Sequence, residues 1–319
     1  MDILYFIVQQ MMFFSIPLLL VALGGMFSER SGVVNIALEG IMVWGAFFSI
    51  LFINNVQHVM SGQGLLILAM LIAIVAGMVF SLLHAYAAIN LSSDQTISGT
   101  ALNMIAPAAA IYLARSIQEN GVQQVQFINT FRIEKVPFLG EIPVIGNMFF
   151  RNCYITTYIG VAIFLISYFL LYKTRFGLRL RSCGEHPQAA DSVGINVYKM
   201  RYAGVLLSGA LAGLGGLVYV IPVSTNFNAT VSGYGFLALA VLIFGQWTPK
   251  RIFFAAFFFG GMKAIASSYS GIPFLQSLGI PSDIYKMIPY IATLTVLAFS
   301  SKKSQAPRAS GVPYDKGLR

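Results

Sequence analysis

Phe27-Ser-Glu-Arg-Ser-Gly-Val-Val-Asn-Ile-Ala-Leu-Glu-Gly40 separates two long apolar runs, and what it does between them governs the kind of fold open to this chain. Residues 4 to 27 before it carry no charge, and residues 33 to 53 after it carry only Glu39. About 20 helical residues cross ~30 Å of hydrocarbon, so each run is long enough to span a bilayer. Asn35 and Glu39 stand one helical turn apart and point the same way. A carboxylate within a span is costly and marks a functional position by default. The pair therefore reads as part of an interrupted helix whose freed backbone and polar side chains line or gate a route for a polar solute. The plainer alternative is that both residues fasten one helix to its neighbours or lie near the membrane interface.

Outward from this stretch the same pattern repeats. Of 319 residues, 57% are apolar and 10% charged, against about 25% charged in an ordinary soluble domain. The mean hydropathy is +0.76. No long polar tract divides the apolar residues, so residues 1–300 read as one membrane unit followed by a cytoplasmic tail, 301–319, expected to be disordered. The fold class is all-α and polytopic, with about nine spans. Six are uninterrupted: 4–27, 63–90, 154–172, 199–221, 252–270 and 284–300. Three are broken or short: 33–53, 95–115 with Asn103 and Pro107, and the glycine-rich 233–247. The first run lacks a basic leader and exceeds a signal-peptide core, so it reads as a retained span.

Lysine and arginine orient the spans, because cytoplasmic loops keep an excess of them. On this topology 14 of the 20 fall on one side, four on the other, and Lys263 and Lys286 within helices. The N-terminus is then outside and the C-terminus inside. Residues 116–153 form an external, partly ordered cap, and the 26 residues from Lys173 to Tyr198 an internal loop. The basic residues make no continuous face for phosphates, which argues against nucleic acid. Cys153 and Cys183 lie on opposite sides of a span and cannot pair.

Other polar positions are fewer and more ambiguous. Thr96, Thr100 and Asn103 recur at spacings of four and three, forming a stripe that fits either solute contact or core fastening. Asp94 before them is a good helix cap. Lys263 lies too deep in its span for a helix-end residue and is a candidate partner for Glu39. In the internal loop, Pro187 suits a first helical turn and Gly194 a helix end, so residues 187–193 should form a short helix. Ala189 and Ala190 beside Val193 give it a small-residue face suited to a groove on a soluble partner; a solvated linker is the plainer alternative. His186 reads as a cap or interface residue, since no second metal ligand stands at a useful spacing. There is no Gly-x4-Gly-Lys-Ser/Thr, His-Glu-x2-His or Gly-x-Ser-x-Gly, so the chain offers no phosphate loop, zinc-protease site or nucleophile elbow, and an enzyme reading has little support.

Phe27 to Gly40, the loop from Arg175-Phe-Gly-Leu-Arg to Ala189-Ala-Asp-Ser-Val-Gly-Ile195, and Ser208-Gly-Ala-Leu-Ala-Gly-Leu-Gly-Gly216 together resemble the permease subunits of bacterial ABC importers. Within these the chain is similar to the branched-chain amino acid and simple sugar permease superfamily, most of all its nucleoside-uptake branch. The resemblance implies a type II importer-like permease in the plasma membrane, with no cofactor of its own and ATP and Mg held by a separate ATPase subunit. It implies that Gly184, Glu185, His186, Pro187, Ala189, Ala190, Asp191 and Gly194 belong to a coupling helix seated on that ATPase. It further implies a second, different permease and an extracytoplasmic solute-binding protein or lipoprotein. Asn35, Glu39, Thr96, Thr100, Asn103 and Lys263 are the candidate route residues. A sugar or branched-chain amino acid permease is the nearest rival. An ion-coupled secondary transporter, in which Glu39 would carry the proton, is a second rival, and a membrane scaffold that moves nothing a third.

Overall fold

Helices with apolar residues on every side are buried on every side or face lipid, and both kinds occur here. The computed structural model describes residues 2–118, 121–269, 277, 279, 281–300 and 305–317. Among these are twelve α-helices: α1 (Asp2–Arg30), α2 (Leu38–Val56), α3 (Gln63–Ile89), α4 (Gln95–Ile117), α5 (Ile145–Phe149), α6 (Ile155–Lys173), α7 (Arg175–Glu185), α8 (Pro187–Ser192), α9 (Val197–Val223), α10 (Tyr234–Phe244), α11 (Pro249–Ser268) and α12 (Ser282–Ser300). Six of them, α1, α2, α3, α4, α6 and α9, are long and apolar enough to cross a membrane. The count of nine is thus not matched by length and composition. At 11 residues, α10 is ~16 Å long, about half the hydrocarbon thickness.

The three interrupted spans resolve differently. The first breaks only at residues 31–37 and then runs unbroken as α2. The second is continuous, with Pro107 inside α4; a proline is tolerated there because neighbours can take up the freed carbonyl. Asp94 caps α4, accepting from the N–H groups of Thr96 and Ile97 at 2.8 and 2.9 Å. The third is α10. The span expected to end at residue 270 ends at Ser268, and residue 270 lies outside the described residues.

At the centre, α9 packs against α1, α2 and α3. Small residues permit this: a β-carbon on Gly77 would stand 2.9 Å from Cα of Gly213, so α3 and α9 meet backbone to backbone. Close approach through small residues is how helices gain contact where lipid offers no hydrophobic drive.

The two ends of the bundle differ. At what we term the upper end, β1 (Val125–Gln126) pairs antiparallel with β4 (Asn226–Phe227), and β2 (Ile133–Lys135) with β3 (Arg151–Cys153). With α5 these build the small lobe expected of residues 116–153. The Lys135 ammonium, 2.9 Å from Glu141, holds that carboxyl below the usual carboxylate range. The lower end carries α7, α8 and the C-terminal residues. An eleven-residue helix, α7, precedes the expected short helix, its buried Gly177, Leu180, Cys183 and Gly184 recurring on one face. The expectation of a disordered tail is corrected for residues 305–317, which are tied to the bundle as described below; residues 301–304 and 318–319 lie outside the described residues. Cys153 and Cys183 are free and buried at opposite ends.

Candidate functional site

Residues 31–37 leave helical geometry, so their backbone groups need partners from elsewhere. Side chains supply them. Asn35 is fully buried; its amide donates to Ser208 Oγ at 2.9 Å and its carbonyl oxygen accepts from Ala37 N–H at 3.1 Å. Asn103 of α4 donates to the Ile36 carbonyl at 2.8 Å and accepts from Gly40 N–H at 2.7 Å. Val34 N–H donates to Gln95 Oε1 at 2.7 Å, and His84 Nε2 lies 2.8 Å from the Val34 carbonyl oxygen. Three helices, α3, α4 and α9, therefore hold one seven-residue break.

Glu39 serves a different element. Its two carboxylate oxygens accept from Gly233 N–H at 2.8 Å and Gly235 N–H at 2.6 Å. These are orphan donors at the start of α10, where the positive end of the helix dipole also favours an anion. Among the described residues the hydrogen-bond partners of Glu39 are thus backbone groups nearly 200 residues along the chain, and the expected pairing with Lys263 is not among them. Because α10 runs ~16 Å from this cap to the lower end, Glu39 sits well inside the bundle.

Above the cap lies a cleft of about 330 Å³, lined by Gln10, Phe14, Tyr219, Ser232, Lys263 and Ser267 among others. Ser232 adjoins Gly233, so the cleft and the Glu39 cap share a wall. The rings of Tyr219 and the buried Tyr234 lie 4.1 Å apart between centroids, tilted by 35°. Aromatic faces, one cation and several hydroxyl and amide groups suit a solute with a flat ring and polar edges.

The candidate residues separate into groups. Asn35 and Asn103 converge on the break, Glu39 caps α10 beside it, and Lys263 lines the cleft. Thr96 and Thr100 do not join them: both are exposed on the outer face of α4, and the Thr100 hydroxyl donates to the Thr96 carbonyl at 2.8 Å. The spacing-based stripe is corrected on this point. At ~100° per residue the three do lie within ~60° on one side of α4, but only Asn103 bonds into the bundle.

Around α8, Gly194 has φ +83°, which suits the glycine ending a helix, and Pro187 takes the first turn. Ala189 is exposed and Val193 is 74% exposed. Ala190 is not on that face. It is buried with Cys183, Val197 and Tyr314, so the expected face of two alanines is corrected: the residues exposed at α8 include His186, Gln188, Ala189 and Val193. Burial pushes the Cys183 thiol up from its ordinary range. Gly184 packs on the backbone of Arg30, and Glu185 pairs with Arg30 at 3.5 Å. Asp191 is half-buried and its carbonyl oxygen accepts from Gly194 N–H at 2.9 Å.

Glu29 and Arg30 were quoted in the sequence only as part of a motif; their roles come from partners over 200 residues away. Glu29 accepts from the indole of Trp247 at 2.6 Å, while Arg30 donates to the Trp247 carbonyl at 3.0 and 3.2 Å. The end of α1 thereby grips the loop from α10 to α11. Charge next to an apolar run was the available signal.

Residues 7–297 match the model of a family described as the branched-chain amino acid transport system permease component. The chain belongs to that family. It is 47% identical over 319 residues to the guanosine ABC transporter permease protein NupQ of Bacillus subtilis, covering 100% of this chain and 99% of that one. It is 43% identical over 314 residues to the nucleoside ABC transporter permease protein NupC of Lactococcus lactis, 98% of each chain. A second protein of the same organism, the nucleoside ABC transporter permease protein NupB, is 24% identical over 94% of this chain and 83% of its own length. No solved structure matches the chain. Family membership makes the chain a membrane permease component, with its helices as the transport element.

Proposed function

We propose that this chain is a permease subunit of an ATP-driven importer that carries nucleosides across the plasma membrane. The observation that carries the reading is full-length likeness to two permeases named for guanosine and nucleoside transport, at 47% and 43% identity. A ring-and-hydroxyl solute also suits the aromatic and polar lining of the cleft at Lys263.

ATP is hydrolysed by a separate subunit on this reading, since the chain has no phosphate loop. The upper end faces outside and receives solute from a binding protein; the lower end, with the basic excess, is cytoplasmic. The half-helix α10, with α11 and α12, completes nine membrane-embedded segments. Asn35, Glu39 and Asn103 form the gate, while Gly184, Glu185, His186, Pro187, Ala189, Ala190, Asp191 and Gly194 belong to the coupling unit α7–α8. A heterodimer with a second permease is supported by the two unlike NupB and NupC relatives in one organism. Thr96 and Thr100 then lie on a face of α4 open to lipid or to that second permease. ATP and Mg belong to the ATPase partner.

The test is uptake of labelled nucleoside by cells with and without this gene, competed with nucleosides, ribose and leucine. Competition by nucleosides alone, with uptake surviving a protonophore while ATP is maintained, supports the reading. Competition by ribose or leucine overturns the substrate, and collapse with the proton gradient overturns the energy source. Val193→Asp on the exposed face of α8 should reduce co-purification of the ATPase subunit; unchanged co-purification sinks the coupling role of α8.

A further inference from the structure

The strongest unassigned feature is the path of residues 305–314 across the lower end. Pro307 and Pro313 keep this stretch out of a helix, and its backbone groups bond instead to four separate parts of the bundle. Gln305 N–H donates to Gln246 Oε1 at 2.8 Å, in the loop gripped by Arg30. Ala309 N–H donates to the Gly184 carbonyl of α7 at 2.8 Å. Gly311 N–H donates to the carbonyl of Gly32, inside the break, at 3.2 Å. Arg201 Nη2 of α9 donates to the Val312 carbonyl at 3.0 Å. The stretch ends with Tyr314, 6% exposed, packed under α8 against Ala190, Cys183 and Val197. Its ring lies 5.4 Å from that of Tyr198, with the Arg201 guanidinium 5.9 Å away.

We infer that residues 305–314 are a strap that holds α7–α8 in register with the broken segment, and that Tyr314 is its positioning residue. This rests on the coupling role proposed for α8. A helix of six residues has little stiffness of its own, so a displacement at its exposed face needs a packed route inward. The strap provides one: Ala190 bears on Tyr314, and Val312 and Gly311 connect through Arg201 and Gly32 to residues 31–37. Gly32, at φ +98°, lies so close to Arg201 that a β-carbon there would stand 3.0 Å from Nη2. The strap is also built to lift. Arg201 is 1% exposed, and its Nε and Nη1 have no partner among the described residues. A buried guanidinium with free donors opposes the closed state, which keeps the net stability of closure small.

Cys183 reports the strap directly, because Tyr314 covers it. In a Cys153→Ser background it is the sole thiol of the chain. The experiment compares Tyr314→Ala, Tyr314→Phe and the parent, each assembled with the ATPase and second permease in vesicles. It reads the rate of Cys183 labelling by a maleimide and the ATP hydrolysed per nucleoside moved. Tyr314→Ala should label roughly tenfold faster, as expected when a local opening becomes more populated. It should use severalfold more ATP per nucleoside with ATPase co-purification unchanged. Tyr314→Phe keeps the ring packed on Cys183 and should lie much closer to the parent than Tyr314→Ala in both readings. If the alanine variant does not accumulate, Tyr314→Leu should give the same changes at smaller amplitude. Unchanged Cys183 labelling in both variants overturns the strap, and faster labelling with an unchanged ATP ratio overturns its positioning role. A failure of the coupling reading itself shows separately, as Val193→Asp leaving ATPase association intact.

Discussion

The break at residues 31–37 and the junction just below it both hold the end of α1, but by unlike chemistry. Around the break the partners are side-chain amides, a hydroxyl, an imidazole and backbone groups, and where a carboxylate enters, as Glu39 on Gly233 and Gly235, it caps a helix. At the junction an ion pair, Arg30 with Glu185 at 3.5 Å, lies partly in water beside the strap's backbone bonds. Dry hydrogen bonds are individually modest, yet expensive to leave unmade. Ion pairs in contact with water are cheap to break and remake. The contrast predicts rigidity at the break and mobility at the junction: on the gate reading proposed above, residues 31–37 should move as a unit while the contacts beneath them exchange.

The largest effect that would break this comparison is at Glu39. Glu39→Ala leaves two α10 donors without partners, at about 1–3 kcal/mol for each buried group. A lowered thermal midpoint is expected, and nucleoside uptake should fall further than protein abundance, since α10 and the cleft at Lys263 share that wall. If uptake and abundance fall in strict proportion, Glu39 is a cap and nothing more.

Asn103→Ala comes next. It removes one acceptor and one donor from the Gly40 N–H and Ile36 carbonyl, costing about 2 kcal/mol. Its neighbour in the stripe supplies the control: Thr100→Val touches only its own helix and should leave stability unchanged. Equal loss in both would mean that the outer face of α4 is as tightly held as the break.

That control also shows what one sequence can and cannot convey. Most spans, and a break marked by Asn35 and Glu39, are legible because hydropathy and intramembrane polarity are local properties; the depth of Glu39 is not. Neither are partners: Glu39 meets Gly233, and Glu29 meets Trp247, across about 200 residues whose spacing carries no trace of contact. Period three-and-four grouped Thr96 and Thr100 with Asn103, yet only packing decides which side of that narrow wedge faces inward. Ala190 was placed on the docking face for its size, which suits a tight internal contact equally well. The tail, poor in apolar residues and rich in Pro, Gly and Lys, has the composition of disorder. Tyr314 was its one signal, and an aromatic is informative only once Ala190 and Cys183 are seen beneath it.

The smallest effect is the sharpest discriminator. Glu185→Gln keeps shape and polarity while removing the negative charge opposite Arg30. The Glu185 side chain is 42% exposed, so water screens the pair and the expected loss is about 0–1 kcal/mol. Arg30 retains the Trp247 carbonyl, accepting from its Nε and Nη2, so no buried donor is stranded there. The thermal midpoint should stay within error of the parent. Uptake should change by less than about twofold, and the salt dependence that this ion pair contributes should be lost. A loss above about 2 kcal/mol would exceed what a screened pair can supply. The junction would then be as rigid as the break, and the moving element would have to be sought elsewhere, as at the α3–α9 crossing where Gly77 and Gly213 meet backbone to backbone.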